Sequence, residues 1–238
     1  MHGFVADGEL TVLTVADRHT AYWKPDTIPL LHTITYPAAE AGKIRAHAQD
    51  LLTRFIQATG QKWGPIAMQC FWNGDYLQVC EIAGRMLAFE HELIDMTSGM
   101  DTEELLLDLQ YDRNAYAEKL RQFRERLDDS ASLGREPVSG WQYSTCAEGF
   151  YLQNIREGTI MDMHMVEEIA NLEGVAECTL FYREGETIGI LGPKQYFARI
   201  YAQTQDREEL KEVERKVLIH SHVWNEKGEE MLLQVEDH

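Results

Sequence analysis

Short apolar runs alternate with turn signals through the first third of the chain. Phe4–Val5 and Leu10–Val15 flank Asp7-Gly8, a spacing that predicts a β-hairpin. Leu30 to Tyr36 reads as a further strand, closed by Pro37. Ile44, Ala48, Leu51, Leu52, Phe55 and Ile56 then recur at helical spacing, which predicts an amphipathic helix ending near Gly60. A second hairpin is predicted from Ile66–Trp72 and Tyr76–Ile82 around Asn73-Gly74. Helices are expected over Glu90–Thr97, Thr102–Leu109 and Arg113–Leu127.

Asp128 to Gly140 is polar and marked by Gly and Pro, so a domain boundary is placed there, between residues 1–130 and 141–238. Beyond it Tyr143–Ile155, Val175–Arg183, Thr187–Leu191 and Tyr196–Gln203 read as strands. Helices are predicted at Met165–Ala170 and Asp206–His220, and a last hairpin around Lys227-Gly228. The pattern gives an α+β class in two parts, the second small and β-rich.

Composition narrows the partners. The 22 basic and 40 acidic residues leave a net charge of −18, which repels a phosphate backbone or an anionic membrane surface. Met1–Met100 holds only 7 basic and 11 acidic residues, so the first part is the one able to accept an anionic ligand. Apolar stretches fall far below the ~18 residues of a membrane span. The four cysteines, Cys70, Cys80, Cys146 and Cys178, form no CxxC pair. With no charged-then-apolar leader at Met1, they are expected to be free thiols in a cytoplasmic protein, with Cys70 and Cys80 acting as small hydrophobes.

The chemistry is concentrated in Gly64–Arg85. Strand alternation allows Gln69 and Glu81 to face the same side of one antiparallel pair. An amide oxygen and a carboxylate there suit magnesium, which takes oxygen ligands and keeps substrate phosphate in its shell. Arg85 can add a bidentate contact to phosphate or carboxylate. The plainer reading of the same spacing is a solvated Glu81–Arg85 pair at a strand end.

This segment resembles the metal-binding hairpin of the ATP-grasp superfamily, in which an acidic or amide residue faces a Glu-x-Asn-x-Arg motif. Gln69 is similar to the carbamoyl phosphate synthetase variant, and Glu81-Ile-Ala-Gly-Arg85 matches the Glu and the Arg. Ala83 stands where the family has a metal-ligating Asn. Gly3 to Val12 resembles the strand pair after the nucleotide lid, and Gly99-Met-Asp101 the turn after the hairpin. Cys146 to Leu233 is similar to the small C-terminal domain of biotin carboxylases and amino-acid ligases. The resemblance implies the C-terminal lobe of an ATP-grasp domain followed by that small domain, with the N-terminal half supplied by an upstream segment or its place taken by a second copy.

The implied cofactors are ATP and magnesium, and the implied substrates a small carboxylate and an amine. Gln69 and Glu81 would hold the metal, Arg85 and Arg18 the nucleotide, and Arg85 and Glu90 would serve catalysis, Glu90 opening a Glu-His-Glu run. The implied activity is carboxylate–amine ligation through an acyl phosphate, or carbamoyl-phosphate-like chemistry. Its rival is a non-catalytic binding or subunit-interaction module on a decayed scaffold. Asp17-Arg18-His19 is expected to end a strand, His32 to be a core histidine, and His220-Ser-His222 to lie on the surface.

Overall fold

The computed structural model describes residues 1–86, 91–132, 145–191, 194 and 196–235. In chain order the first elements are β1 (His2–Ala6), β2 (Glu9–Thr14), β3 (Asp17–Ala21), β4 (Leu30–Tyr36), α1 (Ala41–Thr59), β5 (Trp63–Trp72) and β6 (Leu77–Ala83). Three helices follow, α2 (His91–Ser98), α3 (Thr102–Tyr111) and α4 (Arg113–Ser132). The remainder comprises β7 (Cys146–Leu152), β8 (Gly158–Asp162), α5 (His164–Glu168), β9 (Val175–Leu180), β10 (Thr187–Ile188), β11 (Ala198–Thr204), α6 (Arg207–His220) and β12 (Trp224–Asn225). These residues form two compact units, Met1–Asp17 with Tyr36–Thr145, and Arg18–Thr35 with Cys146–His238.

In the first unit the strands run in the order β2-β1-β5-β6, all antiparallel. The β1–β2 turn works because both central residues, Asp7 and Gly8, take positive φ (48° and 84°), which matches the right-handed twist of the strands. Helix α1 buries Ile44, Ala48, Leu52 and Ile56 and ends in left-handed Gly60, whose N–H returns to the Ile56 carbonyl at 2.9 Å. It lies on the sheet face that carries Trp72, whose indole N–H donates to Glu40 at 2.7 Å and whose ring meets His47 at a tilt of 41°. Helix α4 covers the other face. Tyr116 meets Phe4 edge-on and donates its hydroxyl to the Val5 carbonyl at 2.9 Å, while Arg124 donates to Thr11 at 2.6 Å.

The second unit is built on a five-stranded sheet ordered β3-β4-β7-β11-β9, with a smaller β10-β8-β12 sheet beside it in the same unit. Strand β7 is buried along its whole length, as a central strand covered on both faces must be. Asp206 caps α6 by accepting from the Glu208 and Glu209 amides at 2.9 Å, and the helix buries Leu210, Val213 and Val217.

Asp17-Arg18-His19 does not end a strand; it opens β3, which pairs with β4 inside the second unit's sheet. Strand β8 has no counterpart among the predicted strands, its short Gly-Thr-Ile-Met-Asp run being too brief to show alternation. Helix α4 continues to Ser132, past Leu127, because Asp128–Ser132 contains no Gly or Pro to stop it; residues 133–140 of the expected boundary lie outside the described residues. Cys80 is exposed rather than a buried hydrophobe, and all four cysteines are free thiols. His32 is buried on β4, as expected of a core histidine. His222 is half-buried, stacked on Trp224 and bonded to Glu230 at 2.7 Å.

Gly174, ahead of β9, has φ +89°, and a Cβ there would stand 2.6 Å from the Val213 side chain on α6. Gly185 has a similar φ of +83° but open space around it. Gly174→Ala is expected to cost about 2–4 kcal/mol, left-handed strain plus overpacking, and Gly185→Ala only about 1 kcal/mol. Urea unfolding of the two variants measures the difference; equal losses would show that the α6 contact is not tight.

Candidate functional site

The β5–β6 hairpin is closed by an Asn73 side chain that accepts from the Asp75 and Tyr76 amides, each at 3.0 Å, with Gly74 at φ +99°. From this turn the pairing runs Trp72 to Leu77, Phe71 to Gln78 and Cys70 to Val79. Cys80 is then passed over, and Gln69 pairs with Glu81, Met68 with Ile82 and Ala67 with Ala83. Without this one-residue bulge Gln69 would oppose Cys80, and Glu81 would turn to the Trp72 face beside α1. With it, Gln69 and Glu81 are directly opposed on one face, where Cβ atoms lie about 4.5–5.5 Å apart.

That face is the one α4 covers further along, where Trp63 packs on Tyr116. At Gln69 and Glu81 it is exposed, and among the described residues neither side chain has a hydrogen-bond or ion-pair partner. Arg85 lies just beyond β6, exposed, and donates to the Met86 carbonyl at 3.1 Å. Ala83 continues the Gln69–Glu81 face and offers only a methyl group. Among the described residues no cluster of three His, Cys, Asp or Glu side chains can hold a metal. The donor set therefore fits a hard cation arriving with its own phosphate and water oxygens, not a closed protein cage.

The other predicted residues are distributed differently. Arg18 is exposed on β3 and belongs to the second unit, so the hairpin's own unit does not contain it. Glu90 lies outside the described residues. His91 pairs with Glu92 at 3.2 Å on α2. Gly99-Met-Asp101 has a structural role: Gly99 closes α2 with φ +64°, and Asp101 caps α3 by accepting from the Glu104 amide at 2.8 Å. Beside it, Asp95 accepts from the Thr102 amide and hydroxyl, and burial raises its carboxyl to about 6.

Sequence reading missed Glu148. It sits on the central strand β7, 3% exposed, and accepts from the Thr35 hydroxyl at 2.6 Å. Burial, reinforced by the nearby Glu214 carboxylate, pushes it up to about 8. The available signal was a single carboxylate inside the apolar run Cys146–Leu152. It borders a cavity of about 190 Å³ lined entirely by residues of the second unit.

No family model and no curated protein matches the chain. Solved structures do. The chain is similar to an L-amino acid ligase from Bacillus licheniformis, at 16% identity and a TM-score of 0.68 over 94% of this chain and 53% of that one. It is similar to a phosphoribosylglycinamide synthetase from Anaerococcus prevotii, at 13% identity and a TM-score of 0.66 over 92% and 51%. It is also similar to the biotin carboxylase domain of a Hydrogenobacter thermophilus 2-oxoglutarate carboxylase in complex with MgADP and bicarbonate, at 14% identity and a TM-score of 0.54 over 99% and 46%. The chain shares the fold of about half of each of these neighbours, which are ATP-grasp enzymes, and spans about half their length. No helix among the described residues is long and apolar enough to cross a membrane.

Glu148 carries a pH signature. Its folded-state value of about 8 lies above the ordinary 4.5, so the folded state binds the extra proton. Its contribution to stability is complete below about 4.5 and is lost as pH rises through about 8. The difference in stability between the parent and Glu148→Gln is expected to shift by a few kcal/mol, on the order of one per pH unit, from pH 5 to pH 8. Parallel stability–pH curves from chemical denaturation would mean that Glu148 titrates normally.

Proposed function

We propose that the exposed face of the β5–β6 hairpin holds the magnesium-bound phosphates of ATP for a carboxylate–amine ligase. The observation that carries this reading is the direct opposition of Gln69 and Glu81, exposed and without partners among the described residues, on an ATP-grasp hairpin. In solvent such an arrangement contributes nothing to the core; two oxygen donors held at cross-strand distance suit a shared cation. The neighbour solved with MgADP and the amino acid ligase support the choice of nucleotide and of reaction class.

In this reading Gln69 and Glu81 would hold a magnesium ion, which would supply charge neutralisation to the nucleotide phosphates. Arg85 steadies the transferred phosphoryl group with its fixed fork of N–H donors. The γ-phosphoryl passes to a carboxylate oxygen, releasing ADP and forming an acyl phosphate. An amine nitrogen then attacks the carbonyl carbon, phosphate leaves, and the amine gives up a proton. Positioning and charge stabilisation account for most of the acceleration in such transfers.

Isothermal titration of the 238-residue chain with Mg·ATP tests the site. Glu81→Ala and Gln69→Ala are each expected to weaken binding about tenfold, the size of one lost contact to a charged group. Both positions are exposed, so stability should change by less than about 0.5 kcal/mol. Ala83→Asn, which adds an amide oxygen to the same face, should tighten binding several-fold. Unchanged affinity in Glu81→Ala would remove the metal role and leave the non-catalytic scaffold in its place.

A further inference from the structure

Two of the four free thiols share one hairpin. Cys70 lies half-buried on β5, on the Trp72 face, and pairs in register with Val79 of β6. The next residue of β6 is Cys80, the exposed extra residue of the bulge, set between that rung and the Gln69–Glu81 rung. Opposed Cα atoms in an antiparallel ladder stand about 4.5–5.5 Å apart, so a residue one step along lies about 6 Å away. A disulfide spans Cα separations of about 4.4–6.8 Å. A bulge also frees its extra side chain from strict alternation, so Cys80 is not committed to the face away from Cys70. Burial raises the Cys70 thiol, and the Cys80 thiol is near enough to raise it further. Cys146 and Cys178 lack this arrangement, since β7 and β9 are separated by β11 and these cysteines pair with Thr204 and Ile200.

We propose that Cys70 and Cys80 form a dithiol modification site, which hydrogen peroxide converts reversibly to a disulfide across the bulge. The exposed Cys80 sulfur attacks one peroxide oxygen, the O–O bond breaks, and the displaced hydroxide takes the thiol proton and leaves as water. The Cys70 sulfur then displaces hydroxide from the Cys80 sulfenic acid. An S–S bond forms, the S–O bond breaks, and the Cys70 proton leaves in a second water. Two thiols thus give up two electrons, and one peroxide is reduced to two waters. The new bond ties β6 to β5 beside the Gln69–Glu81 rung. The inference stands on the thiols and the register alone and does not rest on the metal role of that face.

Peptide mapping of the folded full chain after treatment with hydrogen peroxide is the test. Both cysteines fall in one tryptic peptide, Trp63–Arg85, which has no internal Lys or Arg. That peptide is expected to lose two hydrogen atoms in mass and to regain them with dithiothreitol. Chymotryptic cleavage after Trp72 and Tyr76 should leave the Cys70 and Cys80 fragments joined until reduction. Cys146 and Cys178, whose thiols burial raises, should stay open to alkylation once the chain is denatured. In Cys70→Ser the Cys80 sulfenic acid has no partner and should run on to sulfinic acid, which dithiothreitol does not reverse. Circular dichroism confirms that this variant folds. The proposal is overturned if both hairpin thiols of the parent remain alkylatable after peroxide, or if the only disulfide joins two chains. Sulfinic acid at Cys80 of the parent in the same yield as in Cys70→Ser would overturn it equally.

Discussion

The bulge at Cys80 is the constraint on which the hairpin site depends. An uninterrupted antiparallel ladder from the Asn73 turn would send Glu81 to the face beneath α1, opposite Met68. A carboxylate there would lie on the side where Met68 is 1% exposed and where Trp72 is engaged by Glu40 and His47. The extra residue turns Glu81 to the exposed face in the place opposite Gln69 that Cys80 would otherwise have taken, and Cys80 itself remains exposed. One residue of register therefore decides whether the first unit has a pair of opposed oxygen donors at all.

The rest of the first unit holds that hairpin still without covering it. The Asn73 turn fixes one end, and pairing with β1 fixes the other through Ala6 to Trp63 and His2 to Ala67. Tyr116 packs the shared face near Trp63, while the outer end, from Gln69 onward, is left to solvent. Rigid strands carrying exposed polar groups are what a binding site requires, since rotamers on strands are held more closely than on loops. The second unit breaks local rules in a different way, by placing Glu148 inside an otherwise apolar central strand. Such departures from pattern concentrate where a fold serves something besides its own stability.

Much of this was legible in the sequence, for identifiable reasons. Asp7-Gly8 and Asn73-Gly74 announce their hairpins because so few residues accept positive φ, and the Ile44–Ile56 stripe announces α1 because its period is unambiguous. The same-face placement of Gln69 and Glu81 was also expected from alternation. Counted from the observed Trp72–Leu77 pair, however, an unbroken ladder gives the opposite answer, and the bulge that restores it leaves no mark in the residues around Cys80. The passage of Arg18–Thr35 into the other unit was hidden for a related reason: strand pairing over long separations is set by packing, not by local propensity. The cavity lining was equally invisible, since Thr33, Glu148 and Lys211 meet only once β4, β7 and α6 are assembled.

The central claim is that the Cys80 bulge builds a cation–phosphate site at Gln69 and Glu81. Paramagnetic broadening of backbone amide signals by substoichiometric Mn·ATP tests it most directly, because the ion marks its own position. The account predicts that amides flanking Gln69 and Glu81 broaden first, and that Glu81→Ala abolishes this effect. Broadening centred on the acidic surface of α6, with the hairpin signals unaffected, would contradict it.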